Sequence, residues 1–130
     1  MFPIDKIGSG LWYGMHTQAK YVNTKKELKE FINFFENMVI NIPCPVCREH
    51  AATYYAMNKL DESILGSFYY RNIDVSVFKW TYDFHNNVNH RLGKKVMEFS
   101  LAVNLYMKEF FEDSSDDDYE ESTSCDSCSI

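Results

Sequence analysis

The stretch "TKKELKEFINFFENMVINIP", from Thr24 to Pro43, leaves this chain little choice of local structure. Leu28, Phe31, Ile32, Phe35, Met38 and Val39 recur at three- and four-residue intervals, the period of a helix with one buried face. Thr24 can cap its start while Glu27 reaches back to the cap, and Pro43 stops the run. A helix so apolar on one side needs partners, and the same period supplies them elsewhere. "SGLWYGMHTQAKYV" sets Trp12, His16 and Ala19 on one face. "CPVCREHAATYYAMNKL" reads as a third helix with Pro45 in its first turn, where a missing N–H costs nothing. After a connection through Gly66 and Asn72, Asp74 or Ser76 can cap a fourth, "VSVFKWTYDFHNNVNHRL", ended by Gly93. "VMEFSLAVNLYMKEFF" reads as one last helix. Strand-like alternation is absent. The expected fold is all-α, a four-helix bundle plus a short additional helix over residues 1–111, followed by a disordered acidic tail over 112–130.

Charge divides at the same boundary. Of 19 acids in the chain, eight fall in residues 112–130, which hold no Lys or Arg, whereas all 13 bases precede them. Such a run is a solvated, extended segment and would repel phosphates, so nucleic acid is not an expected partner. No opening apolar stretch resembles a signal peptide and no run is long enough for a membrane span. The reading is a soluble, intracellular protein.

In a reducing compartment, four cysteines in two C-x-x-C pairs point to metal or redox chemistry rather than to structural cross-links. Cys44 and Cys47 flank Pro45 and Val46 at an expected helix start, where unpaired N–H groups and the helix dipole favour a thiolate. Arg48 and His50 add nearby positive or polarisable character. The i, i+3 spacing lets the two sulfurs meet if Cys44 sits at the cap. Zinc is the competing chemistry: Cys44, Cys47 and His50 offer three ligands, and the two C-x-x-C pairs together offer four. The second pair, Cys125 and Cys128, lies in the acidic tail, where a surface feature or a weak metal clip is the plainer reading.

"FHNNVNHRLGKK" is the other anomaly. His85, Asn89 and Leu92 share one helical face with Val88 beside them, where a bundle would ordinarily place aliphatic residues. Each buried imidazole or amide left unpaired costs roughly 1–3 kcal/mol, so a cluster of them implies something polar to bind. Trp12 and His16, one turn apart on the first helix, add flat rings and suggest a pocket for a planar, hydrogen-bonding ligand. Trp80 does not share the 85/89/92 face.

Taken together these pieces resemble the Erv/ALR family of FAD-dependent sulfhydryl oxidases, and most closely the small oxidases of large cytoplasmic DNA viruses. The matching residues run in family order: Gly8, Trp12, His16 and Tyr21; then Pro43-Cys44-x-x-Cys47; then Trp80, His85-Asn86-x-Val88-Asn89 and Leu92-Gly93-Lys94. The resemblance implies a helical bundle that holds FAD near the C-x-x-C, usually as a homodimer. It implies that Gly8, Trp12, His16, Tyr21, His85, Asn86, Asn89 and Lys94 contact the cofactor. Trp80, Val88 and Leu92 would line the site, and His50 falls where a flavin-side residue is common. Ser9 stands where the family commonly has arginine, and Val22 where a proline often follows the tyrosine. The family's extra structural disulfides are missing.

The implied activity is oxidation of protein dithiols to disulfides, with O2 reduced to H2O2. Cys47 would face the flavin, Cys44 would be open to exchange, and Cys125 and Cys128 would carry electrons in from a substrate, a small thioredoxin-like or C-x-x-C protein. About fourteen residues separate the last helix from Cys125, a flexible span of roughly 20 Å. If the chain is viral, the host cytoplasm or the virion is its place. The rival is a zinc-stabilised helical interaction module with an acidic peptide tail.

Overall fold

The computed structural model describes residues 4–111, with side chains from residue 10 onward. Its helices are α1 (Ile4–Ala19), α2 (Lys25–Ile40), α3 (Pro45–Met57), α4 (Ser76–Arg91), α5 (Phe99–Tyr106) and α6 (Lys108–Phe111). A single 3-10 turn (Glu62–Ile64) and two short strands, β1 (Tyr69–Tyr70) and β2 (Ile73–Asp74), connect α3 to α4. The all-α class holds. The acidic tail lies outside the described residues, and among those described no helix is long and apolar enough to cross a membrane.

The α2 stripe packs as its period requires. Leu28, Phe31, Phe35 and Val39 are buried, with Ile32 and Met38 half-buried at the margin. They meet Trp12, Met15 and Ala19 of α1, Ala51 of α3 and Val77, Trp80 and Phe84 of α4 in one cluster. A second, smaller cluster joins Val75 and Phe78 to Ala102, Val103, Tyr106 and Met107, with Phe68, Tyr70 and Tyr82 around it. Helix α4 thus carries apolar residues on two sides, and α5 and the hairpin cover the side that the bundle does not.

The helix starts follow their local chemistry. Thr24 Oγ1 accepts from the Glu27 N–H (3.1 Å), and Glu27 Oε1 accepts from the Thr24 N–H (3.1 Å) and the Asn23 N–H (2.8 Å), a complete capping box. At α4 the cap position is Val75, not Asp74 or Ser76. Asp74 still supplies the first acceptor, its Oδ1 taking the Ser76 N–H at 3.0 Å. The Ser76 hydroxyl instead accepts from the N–H groups of Ser67 and Phe68, which fastens the connecting loop to the helix.

Three local features depart from the sequence reading. Helix α2 ends at Ile40, short of Pro43, where Asn41 leaves helical geometry (φ -102, ψ 3) and its N–H donates to the Met38 and Val39 carbonyls. Asn41 closes the end, its amide donating to the Asn37 carbonyl at 2.8 Å. The β-hairpin is too short to leave an alternating pattern; its tip places Arg71 and Asn72 at φ 51 and 69, a left-handed pair that matches the twist of two antiparallel strands. The last helix is not continuous. The Met97 N–H donates to Asn86 Oδ1 (3.1 Å), and the Met97 carbonyl accepts from Asn86 Nδ2 (3.0 Å) and the Tyr82 hydroxyl (2.8 Å). Those bonds hold the segment before Phe99 extended against α4. At the other end Lys20 Nζ donates to the Tyr106 carbonyl at 2.6 Å, drawing on an acceptor a continuing helix would use, and the chain breaks at Met107.

Because the capping box ties α2 to the α1–α2 turn, Thr24→Ala is expected to destabilise the protein by about 1 kcal/mol. Urea midpoints of the two proteins check this; equal midpoints would show that the box is redundant.

Candidate active site between the cysteine pair and the histidine relay

Pro45 opens α3 and leaves Cys44 as its cap. Cys44 Sγ accepts from the Cys47 N–H at 3.2 Å, using one of the donors that a helix N-terminus leaves over. The two thiols also interact directly, and their shifts run in opposite directions. The hydrogen bond from the Cys47 thiol, followed by that from the Cys47 N–H, holds the Cys44 thiol below the ordinary range. Burial, followed by the neighbouring Cys44, pushes the Cys47 thiol up. Both cysteines are half-buried and free, and Val46 between them is 57% exposed, so the pair opens to solvent on one side. Arg48 sets the corner before them by donating from Nη1 to the Ile42 carbonyl at 2.6 Å.

On their other side the cysteines open onto a cleft of about 90 Å³. Leu11, Trp12 and Met15 of α1, Met38 and Val39 of α2, Ala51 of α3, Phe84 and Val88 of α4, and Leu92 at its C-cap make it almost wholly apolar. Arg91 is the one charged residue along it among the described residues.

Trp12 then leads to a polar region. Its ring stacks on that of His85 at 3.9 Å between centroids and 4° between planes. Behind it runs a buried chain of hydrogen bonds. The Thr81 hydroxyl donates to the Phe78 carbonyl (2.7 Å), so its oxygen accepts from His16 Nδ1–H (2.8 Å). His16 Nε2 is then the bare nitrogen and accepts from His85 Nδ1–H at 2.9 Å. Both rings are neutral: burial, then the neighbouring His85, puts His16 well below its ordinary value, and burial, then the Lys94 charge, lowers His85 to about 4. This donor order leaves His85 Nε2 an acceptor. It and Asn89 Oδ1, both buried, have no hydrogen-bond partner among the described residues. They border a small hollow shared with His16, Tyr82, Asn86 and Tyr106.

The sequence candidates separate into those two compartments and a remainder. Cys44, Cys47, Trp12, Val88 and Leu92 line the apolar cleft, and His16, His85, Asn86 and Asn89 border the polar hollow. Trp80 borders neither; its ring packs against Phe35 and Tyr54 and its Nε1 donates to the Asn58 carbonyl at 2.8 Å. Tyr21 is half exposed and donates to Glu109 Oε2 at 3.2 Å. Lys94 is exposed; its N–H donates to the Asn89 carbonyl at 2.7 Å, closing the end of α4 beside the orphaned amide. Gly8 lies within α1. His50 is exposed and does not join the cysteines, and among the described residues no group of three metal-binding side chains comes together. The three-ligand zinc site open to the sequence therefore does not form. Cys125 and Cys128 lie outside the described residues. Sequence reasoning missed Arg91, although Phe84, Val88 and Arg91 are spaced to share one helical face.

Comparison with known proteins places nearly the whole described chain in one family. The Erv1/Alr family model matches residues 9–111. The chain belongs to the Erv1/Alr family. FAD-linked sulfhydryl oxidases of African swine fever virus, from a pig isolate of Kenya and a tick isolate of Malawi, are each 34% identical to it over 102 residues, covering 76% of this chain and 78% of theirs. A protein of Frog virus 3 is 31% identical over 107 residues, covering 77% of this chain and 65% of its own length. The Erv1/Alr match begins at Ser9 and ends with α6, so it takes in every element that borders the two compartments.

The neutral relay has a consequence for acid stability. Unfolded, both histidines take up protons near pH 6.5; folded, they resist until much lower pH. Stability present above about pH 6.5 should therefore fall as pH drops toward about 4, His85 alone accounting for a loss of about 3 kcal/mol. Urea unfolding at several pH values across that window measures the loss, and a flat profile would contradict the burial of two neutral imidazoles.

Proposed function

We propose that this chain is a FAD-linked sulfhydryl oxidase that makes disulfides in protein dithiols at Cys44 and Cys47 and reduces O2 to H2O2. The observation that carries this reading is the pair itself: two adjacent thiols with opposite shifts, one at a helix cap and one facing an apolar cleft. The fit to FAD rests on the second compartment. Two buried acceptors without partners, His85 Nε2 and Asn89 Oδ1, are costly unless a ligand donates to them, and the cleft suits an aromatic ring system. Trp12, His16, His85 and Asn89 would hold the cofactor, Val88 and Leu92 would shape its apolar surroundings, and Lys94 and Asn86 would keep α4 and the following segment in place.

The exchange half-reaction starts from the oxidised pair, a Cys44–Cys47 disulfide. A substrate thiolate attacks Cys44 Sγ, which forms a mixed disulfide, breaks the Cys44–Cys47 bond and leaves Cys47 as a thiolate. The second substrate thiolate then attacks its own sulfur in the mixed disulfide and releases Cys44. The substrate has lost two electrons, the pair has gained them, and two protons have gone to solvent. Held by these residues, FAD would supply the acceptor for that electron pair and its passage to O2. Cys44 suits the exchange role because the helix cap stabilises its thiolate, and thiolate is the form displaced when the mixed disulfide is resolved. The apolar residues along the cleft keep water from the side of the pair where electrons leave.

Cys125 and Cys128 would serve as an entry pair, exchanging with bulky substrates and then with Cys44–Cys47 of the same chain or of a partner in a homodimer. The substrate class is a small thioredoxin-like or C-x-x-C protein. The viral relatives favour a virus-encoded oxidase that works in the host cytoplasm or the virion.

Purified protein should be yellow, with a flavin band near 450 nm, and Cys47→Ser should retain that band while losing dithiol-dependent oxygen uptake, an effect of roughly a hundredfold or more. A colourless protein, or persistent turnover in the variant, would overturn the assignment. Replacing both Cys125 and Cys128 with Ser should spare oxidation of dithiothreitol and slow oxidation of a protein dithiol. Unchanged protein oxidation would remove the tail pair from the scheme.

A further inference from the structure

The exchange scheme raises a problem at Cys47 that its immediate surroundings do not solve. When the Cys44–Cys47 bond breaks, Cys47 departs as an anion, yet burial works against a thiolate there. Exchange is fastest when the leaving thiol is acidic, so an unassisted Cys47 would be a poor leaving group. The Cys47 N–H favours that thiolate but is shared with Cys44 Sγ and does not offset burial.

The charged and titratable groups around Cys47 are few. On its own segment Cys44 is by then bonded to the substrate sulfur and carries no charge, and Arg48 is committed to the Ile42 carbonyl. Helices α1 and α2 present only apolar residues to the cleft. Helix α4 offers Arg91. Among the described residues it has no carboxylate partner, since the four ion pairs there engage Lys20, Lys25, Lys26 and Lys79. Its position in the last turn of α4, after Phe84 and Val88 on one face, makes Arg91 part of the lining that Cys47 also joins.

We infer that Arg91 is a positioning residue for the exchange step, its guanidinium stabilising the Cys47 thiolate as the Cys44–Cys47 disulfide opens. The attraction between Arg91 and Cys47 acts in the direction this requires, lowering the thiol against the upward push of burial. A guanidinium suits the place because it stays charged at any working pH and is only weakly hydrated. The role also accounts for a charged residue on a cleft that is otherwise apolar. It rests on the exchange reading above, but its test needs neither oxygen uptake nor a substrate protein.

The test is the pH dependence of Cys47 alkylation by iodoacetamide in the flavin-loaded protein carrying Cys44→Ser, Cys125→Ser and Cys128→Ser, which leaves one thiol and keeps a capping oxygen at position 44. Adding Arg91→Gln should move the alkylation midpoint to higher pH and slow alkylation at neutral pH by about threefold or more, whereas Arg91→Lys should restore most of the difference. An unchanged midpoint in Arg91→Gln overturns the inference. So does a Lys variant that behaves like Gln, because shape rather than charge would then be at work. Should the Gln variant fail to fold, salt gives the same answer on the arginine form: raising NaCl from about 0.05 to 0.5 M should shift the midpoint upward, and a salt-independent midpoint is the contrary result. If the protein proves not to be an oxidase, these titrations still report whether Arg91 acts on Cys47, so the two failures are distinguishable.

Discussion

The hydrogen bond between His16 and His85 is the constraint on which the rest of the molecule depends. It joins α1 to α4 through two buried rings, and its direction is fixed from behind by Thr81, whose own proton is spent on the Phe78 carbonyl. Trp12 can lie flat on His85 only because that ring is held in one plane. The same bond decides that His85 turns a lone pair, not a proton, toward Asn89 and the polar hollow. A single tautomer thus links the packing of two helices to the kind of ligand atom that the site can receive. Such an arrangement is unfavourable unless a donor reaches the two buried acceptors.

Helix α4 is where scaffold and site coincide. Trp80 and Phe84 belong to the bundle, Phe78 to the cluster under α5, and His85 and Asn89 to the polar face. Asn86 illustrates the economy of such a helix. Its amide makes two bonds to the Met97 backbone, so a side chain flanked by site residues also anchors the segment that leads to α5. The cysteines show a comparable division within one turn of α3. A neighbouring thiol and a cap donor acidify Cys44, while three residues on, burial does the reverse.

The bundle was legible because apolar period and capping are local. Thr24 with Glu27, and Pro45 after Cys44, state their structure in a few consecutive residues. The polar residues of "FHNNVNHRLGKK" could be recognised as out of place for a similar reason, since their period puts them where a core should be. What stayed hidden depends on distant partners. Nothing near Val96 indicates that Asn86 and Tyr82 will hold Met97 out of a helix, and nothing near Tyr106 announces Lys20. Trp80 carried the family motif yet lies in the core against Phe35 and Tyr54, as its misfit with the 85/89/92 face had suggested. Arg91 was passed over because a basic residue in a last helical turn ordinarily answers the helix dipole, a role that gives no hint of a cleft.

The described scaffold contains two cysteines, and both stand at the cleft. Everything that holds α1 to α4 together there is hydrophobic contact, hydrogen bonds and stacked rings, none of which a thiol can cut. Many proteins that handle disulfides are themselves stapled by them, and for those a reducing environment attacks machine and workpiece alike. Here the two are chemically separate. Reduction or oxidation of that pair leaves the rest of the described architecture without a disulfide to lose.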